Sequence, residues 1–510
     1  MLFEAAALVT ASLALAGVGG TAAVPEYSAI GTSSIGTSAL GSSALGAFAL
    51  GSSEFGASDL GVQEAVAARL SDRQGDAGSA PLWAQLEVQS AASVDIDLTT
   101  LRSMTGPNLL VGMSQLPLAD LSTFAADFPT HIDALLAAPP QAAVVTAWWT
   151  MLDSTQRATL TAATPQLVGN LDGVPLAQRS RANESFLRDS LAEAERALDG
   201  ALSAAERSRL SSQVAMLTQV AEALHASEDG PKRSLVLLDT TGSGRAAIAL
   251  GNPDTADYIG YLVPGMNYQV EPQIVNWTTV ADDLYREQAA VLADSAAERV
   301  ASVPTAVTAS VRLGVAAAPA SDSPVAAPAA APTIATIAWI GYEAPDLFSV
   351  GGLDRAEAGA DFLETSWAGV RATRGGDQPF VSVFAHSYGS TVALLALANG
   401  SVEVDALVVV GSPGSAIQSA AKLKVTGDNV FVGKADWDPA VNSAFFGSDP
   451  GAASYGARVL GVRGGTDART GATLAGSLGH NDYFTPGSES LHNMALIGTD
   501  NAELATDDIE

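Results

Sequence analysis

At 510 residues, with 25 Lys and Arg against 55 Asp and Glu, the chain carries a net charge of −30, which argues against nucleic acid or an anionic membrane surface as a partner. It contains no cysteine, which excludes disulfides, thiolate metal sites and a lipidated cysteine anchor. The length leaves room for a large folded core plus a second region.

Residues 1–61 are low in complexity and almost uncharged. Residues 5–24 are apolar but rich in Ala and Gly, Glu4 stands where an export signal needs Lys or Arg, and no clear cleavage site follows. A cytoplasmic location and export to the cell envelope both stay open. A strict five-residue repeat then begins, in which Ile30, Ile35, Leu40, Leu45, Leu50, Phe55 and Leu60 are each followed by glycine. Serine stands two residues before six of these seven positions, the exception being Phe48, as in coils built from five-residue repeats. Seven repeats make only about two turns of such a coil, so a flexible Gly/Ser/Ala segment is the competing expectation.

Over residues 62–230 apolar side chains recur at three- and four-residue spacing, notably in 62–70, 144–152, 181–202 and 204–226, which predicts a helical region. Trp148 and Trp149 are expected as its core anchors. The region is either a lid over a site further along the chain or an independent packing module. From residue 231 to 510 the pattern changes. Runs at 235–238 and 246–250 flank Thr241-Gly242-Ser243-Gly244 and predict a hairpin. A strand at 258–263, a helix at 281–300, a strand at 334–340, a helix at 353–370 and strands at 380–385, 404–410, 429–433 and 457–462 follow. Such alternation predicts an α/β class with a mostly parallel sheet covered by helices on both faces. Within it, residues 315–332 are Ala/Pro-rich and too poor in large apolar groups to pack, which predicts a disordered insertion.

The run Phe380-Val381-Ser382-Val383-Phe384-Ala385-His386-Ser387-Tyr388-Gly389-Ser390 is an apolar strand that meets a serine and passes at once into a helix-compatible segment. This is the strand–turn–helix form of G-x-S-x-G, in which a sharp turn lifts the serine hydroxyl clear of the sheet and needs small residues two before and two after it. Ala385 and Gly389 meet that need, and Asn399-Gly400 suits the end of the helix. A serine nucleophile needs a histidine base and an acid to orient it, and on this elbow the chain order is Ser, acid, His.

His131 and His225 lie upstream in helical sequence and His386 inside the elbow, so His480 and His492 remain. His492 has helical spacing, whereas His480 follows the loop Gly476-Ser477-Leu478-Gly479, where a catalytic histidine belongs. Asp436 and Asp438 both follow strand 429–433, at the strand end that carries chemistry in open α/β sheets. Asp405 precedes its strand, and Asp449 sits in turn sequence. Pro439 restricts Asp438 to an extended conformation and favours it, with Asp436 as its rival. Backbone N–H groups for an oxyanion would come from Tyr388 and from Gly265 or Met266, in the turn after strand 258–263. No metal cluster and no glycine-rich phosphate loop is visible, so neither a metal nor a cofactor is expected.

With these residues in place, the chain resembles the actinobacterial family of α/β-hydrolases long known as a domain of unknown function. The matching runs are Val263-Pro264-Gly265-Met266, Trp339-Ile340-Gly341-Tyr342-Glu343-Ala344-Pro345, Ala385-His386-Ser387-Tyr388-Gly389-Ser390, Gly411-Ser412-Pro413-Gly414, Asp438-Pro439, and His480 with Tyr483-Phe484. Upstream, Trp148-Trp149, Pro165, Gly169-Asn170-Leu171-Asp172-Gly173-Val174-Pro175, Arg179 and Ala182-Asn183 also match. The resemblance implies an α/β-hydrolase fold and the triad Ser387, Asp438 and His480, with Asp438 preferred over Asp436. Ala385 departs from it, since the family usually has glycine there. The expected reaction is hydrolysis of a carboxylic ester, small or lipidic, because the fold hosts esterases more often than amidases. An acyltransferase using the same triad and a non-catalytic surface scaffold are the alternatives.

Overall fold

The computed structural model describes residues 96–302 and 331–508. The five-residue repeat, the helix expected at 62–70 and the Ala/Pro-rich stretch at 315–330 lie outside the described residues. The first described part is a run of nine helices, from Leu98–Leu101 (α1) to Ala204–Ala223 (α9). Its two longest members are Leu176–Leu198 (α8) and α9, and short helices such as Ala142–Met151 (α5) and Pro165–Asn170 (α7) precede them. Reciprocal capping boxes, Asp153 with Gln156 and Ser203 with Glu206, start the helices at Ser154 and Ala204. Leu101, Leu121, Phe124, Trp148, Trp149, Leu160 and Leu167 share one buried cluster.

Eight strands form the main sheet, in the order β1-β2-β4-β3-β5-β6-β7-β8. They are Arg233–Asp239 (β1), Arg245–Gly251 (β2), Tyr258–Val263 (β3), Ile334–Ile340 (β4), Phe380–His386 (β5), Ala406–Val410 (β6), Val430–Gly433 (β7) and Arg458–Val459 (β8). β2 runs antiparallel to β1 and β4, and the remaining pairs are parallel. β4, β6 and β7 are buried along their whole length, as strands covered on both faces must be. Helices Val270–Ser302 (α10) and Glu489–Ile497 (α13) pack together, as do Asp354–Arg374 (α11) and Tyr388–Asn399 (α12). The sheet, its helical layers and the helical region before it make this an α/β-hydrolase fold.

β3 and β5 are neighbours, yet the chain leaves β3 towards β4 and leaves β5 towards β6, on the other side. Two connections diverging from adjacent parallel strands open a crevice at their carboxyl ends, the usual place for a ligand in such sheets.

Three elements depart from the expected bounds. α10 begins at Val270, eleven residues before the periodicity becomes clear, because Pro272 falls in its first turn, where a missing N–H costs nothing. α8 begins at Leu176, directly after Pro175. The strand expected at 457–462 pairs with β7 only at Arg458 and Val459. Gly461 and Val462 instead donate to Thr506 O and the Asp508 carboxylate, which draws the chain off the sheet.

The free edge of β1 is satisfied by side chains of the helical region. Leu238 N–H donates to Asn170 Oδ1 and Leu238 O accepts from Asn170 Nδ2, at 2.9 and 2.8 Å. Leu235 N–H donates to Ser180 Oγ at 3.0 Å, and Leu235 O accepts from Asn183 Nδ2 at 3.1 Å. A bare edge would leave these groups as a template for another strand.

Candidate active site

β5 ends at His386 and α12 begins at Tyr388, so the turn between them falls on one residue, Ser387, with φ 54° and ψ −131°. A positive φ on a serine is strained backbone, and it persists only where the surroundings hold it. Ser387 N–H is fixed to Val410 O at 3.0 Å, and Ser390 Oγ donates to Ser387 O at 2.6 Å. The demand for a small residue at 389 comes from β3. A Cβ on Gly389 would stand 2.3 Å from Pro264 O and 2.6 Å from Val263 O. Gly265 faces the serine itself, since a Cβ there would stand 2.5 Å from Ser387 Cβ.

His480 lies on the long loop that follows the two-stranded ribbon Gly465–Thr466 (β9) and Thr473–Leu474 (β10). Its Nε2 is 2.9 Å from Ser387 Oγ and its Nδ1 2.8 Å from Asp438 Oδ1. All three residues are buried. Burial pushes the Asp438 carboxyl up. The hydrogen bond and charge of His480, the Tyr483 hydroxyl and the Ala440 N–H together outweigh it and hold the group below the ordinary aspartate value. An ionised carboxylate only accepts, so Nδ1 carries the proton and Nε2 is left to accept from the serine hydroxyl. Gly411, at φ 61°, lets this pair close, since a Cβ there would lie 3.0 Å from both Asp438 Oδ2 and His480 Nδ1.

Asp436, two residues from Asp438, points away. Its carboxylate is more than half exposed and pairs with Arg463 at 3.1 Å. Asp405 holds Val381 N–H at the opposite strand end, and Asp449 accepts from Gly451 N–H within its turn. His492 packs α13 against α10 by pairing with Glu287 at 2.8 Å.

Two groups that sequence reasoning gave no role complete the shell. Tyr483 Oη donates to Asp438 Oδ2 at 2.7 Å and accepts from Ala435 N–H at 2.8 Å. Burial and the Asp438 charge push the phenol far up, so it stays a donor. His386 Nε2 lies 2.7 Å from His480 O. Burial, and then the neighbouring His480, push the His386 imidazole down to about 3, which keeps it neutral beside the triad. The adjacency of His386 to Ser387 and of Tyr483 to His480 was the available signal, but neither spacing reveals a partner.

Tyr388 opens α12, so its N–H is one of those with no intrahelical acceptor. Facing it, the Pro264–Gly265 turn is held by Tyr342 Oη, which donates to Pro264 O at 2.7 Å, and by Asn267 N–H, which donates to Pro345 O at 2.9 Å. Met266 is buried next to Gly265. A cavity of about 400 Å³ between the helical region and the sheet is a separate place, lined by Arg179, Arg245, Tyr261 and Trp339 and by none of the triad residues. Among the described residues no cluster of His, Asp or Glu is arranged to hold a metal, and no helix is long and apolar enough to cross a membrane.

A family model described as alpha/beta hydrolase matches residues 239–323 and 301–448, a span that contains Ser387 and Asp438. An uncharacterized protein of Mycobacterium tuberculosis is 29% identical over 402 residues, covering 71% of this chain and 56% of the relative. An uncharacterized protein of Mycobacterium bovis is 31% identical over 205 residues, covering 39% of this chain and 65% of the relative. The chain thus spans little more than half the length of the first of these. Among solved structures, an arylesterase shares 10% identity over 62% of this chain and 98% of its own, with a TM-score of 0.28. An esterase from Pseudomonas putida shares 12% over 63% and 98%, with a TM-score of 0.26. From the β1–β2 hairpin through the elbow to Asp438, then, this chain is similar to an alpha/beta hydrolase family and has that fold.

Proposed function

We propose that the protein is a serine hydrolase that cleaves carboxylic esters through an acyl-enzyme. The observation that carries this is the hydrogen-bonded line from Ser387 Oγ to His480 to Asp438 on a strained elbow. In this mechanism His480 Nε2 takes the serine proton as Oγ attacks the acyl carbon, then returns it to the departing alcohol. Asp438 keeps the imidazole in the tautomer with its proton on Nδ1 and stabilises the imidazolium. The N–H of Tyr388, with that of Gly265 or Met266, receives the charge that develops on the carbonyl oxygen. Water, activated by the same histidine, then releases the acid.

The test pairs covalent labelling with turnover. A fluorophosphonate probe should label the full chain at Ser387 and block hydrolysis of p-nitrophenyl esters. Ser387→Ala should abolish both, and His480→Ala should lower turnover by several orders of magnitude, because the triad acts as a unit. Labelling elsewhere, or activity retained in Ser387→Ala, removes the assignment.

A further inference from the structure

The three most exposed large apolar side chains among the described residues are Phe348 at 95%, Trp437 at 81% and Leu478 at 65%. Each stands on a different loop, Phe348 after β4, Trp437 after β7 and Leu478 after β10. Trp437 directly precedes Asp438, and Leu478 lies two residues before His480. Trp437 N–H donates to Leu478 O at 3.0 Å, which makes the two adjacent. Phe348 belongs to the loop after β4, whose Gly352 O accepts from Tyr388 Oη at 2.7 Å and whose Pro345 O holds Asn267. Single exposed apolar groups are ordinary, and Met151 on α5 is nearly as exposed at 64%, but Phe348, Trp437 and Leu478 all stand on loops that touch the elbow helix or adjoin Asp438 and His480.

The carboxylates beside them are held in hydrogen bonds or an ion pair. The Asp346 carboxylate accepts from the N–H groups of Phe348 and Ser349 and from Ser349 Oγ. Asp482 accepts from Leu478 N–H and Gly479 N–H, and Asp436 is paired with Arg463. Phe348 and Leu478 are presented to water on turns that a neighbouring carboxylate holds in shape, and Trp437 is held by its N–H bond to Leu478 O, so seating them elsewhere costs little ordering.

We propose that Phe348, Trp437 and Leu478 form a docking rim for a lipid surface without net charge, and that the enzyme takes ester substrate from that surface. This rests on the ester-hydrolase reading above. Three separate anchors on stiff turns suit a fluid surface into which single side chains sink, and a tryptophan is suited to its boundary. The net charge of −30 rules out an anionic surface as the preferred one.

Trp437 supplies the readout in a Trp83→Phe background, because Trp148, Trp149, Trp277, Trp339 and Trp367 are all buried and Trp83 lies outside the described residues. Vesicles of brominated phosphatidylcholine should quench the fluorescence of the full-length protein, and phosphatidylglycerol vesicles should bind it more weakly. The double variant Phe348→Ser/Leu478→Ser keeps the reporter. It should bind phosphatidylcholine at least about ten-fold more weakly, as expected when such groups no longer leave water. Its hydrolysis of soluble p-nitrophenyl acetate should stay within about two-fold of the parent, with substrate dispersed in phosphatidylcholine vesicles turned over more slowly. Ser387→Ala should bind vesicles like the parent. An unquenched parent, a double variant that binds equally well, or tighter binding to the anionic vesicles overturns the proposal. So does self-association in sedimentation that the double variant abolishes, which would assign the rim to a protein contact. Ester turnover surviving in Ser387→Ala while quenching persists would instead remove the nucleophile assignment and leave the lipid contact standing.

Discussion

His386 should make this protein acid-labile in a way that one substitution removes. Its ring lies with its centroid 4.6 Å from that of His480, and burial and then that neighbour push its imidazole down to about 3. In the unfolded chain it titrates near about 6.5. The folded value is depressed, so the stabilisation is complete above the unfolded value and is lost as pH falls from there towards the folded one. Between about pH 8 and about pH 4.5 the unfolded chain gains this proton while the folded protein does not. At about 1.4 kcal/mol per pH unit below the unfolded value, the loss comes to about 2.7 kcal/mol. His386→Gln keeps an N–H for His480 O but cannot titrate. Urea unfolding of the parent and the variant across that range isolates the contribution, because every other titrating group is common to both. The gap between the two stabilities should change by about 2.7 kcal/mol from one end to the other, whatever offset the glutamine introduces. Parallel curves would refute a buried neutral His386.

Three further outcomes follow from the same geometry. Tyr483→Phe removes the donor from Asp438 Oδ2, so the carboxylate holds the imidazolium more tightly; the acid limb of kcat/KM should move up by about half a pH unit with KM unchanged. Gly265→Ala would place a Cβ 2.5 Å from Ser387 Cβ and drive the Pro264–Gly265 turn away, lowering kcat by about a hundred-fold, the cost of a displaced oxyanion donor, and slowing fluorophosphonate labelling as well. Asn183→Ala takes from Leu235 O its side-chain donor in a buried seam and leaves Gly169 O with Arg179 Nε, and should destabilise the fold by about 2 kcal/mol in urea unfolding, with esterase kinetics of the folded protein unchanged.

What could be read in the chain were features with local causes. The elbow is legible because strand, serine and helix are contiguous, and the parallel sheet because each buried strand is a short unbroken apolar run. The acid was ambiguous for an equally physical reason. Asp436 and Asp438 are two apart in one loop, and only the approach of Arg463 to the first and of His480 and Tyr483 to the second separates them. The pairing of Asn170, Ser180 and Asn183 with β1 spans 52 to 68 residues and leaves no periodic trace, so the helical region read as a lid or a separate module rather than as an edge cover. His386 was seen as part of the elbow, but its contact with His480 crosses 94 residues.

The cover over β1 also bears on how the chain emerges during synthesis. Domains form from the amino terminus as the chain is made. Asn170, Ser180 and Asn183 are therefore translated before Leu235 and Leu238, the groups they receive. When the first strand leaves the ribosome its partners already exist, and its outer amides need never meet a neighbouring nascent chain. At the far side of the sheet the last strand is only Arg458–Val459, too short to recruit another. A sheet closed first at one border and cut short at the other leaves neither outer border as a long open template once it is assembled.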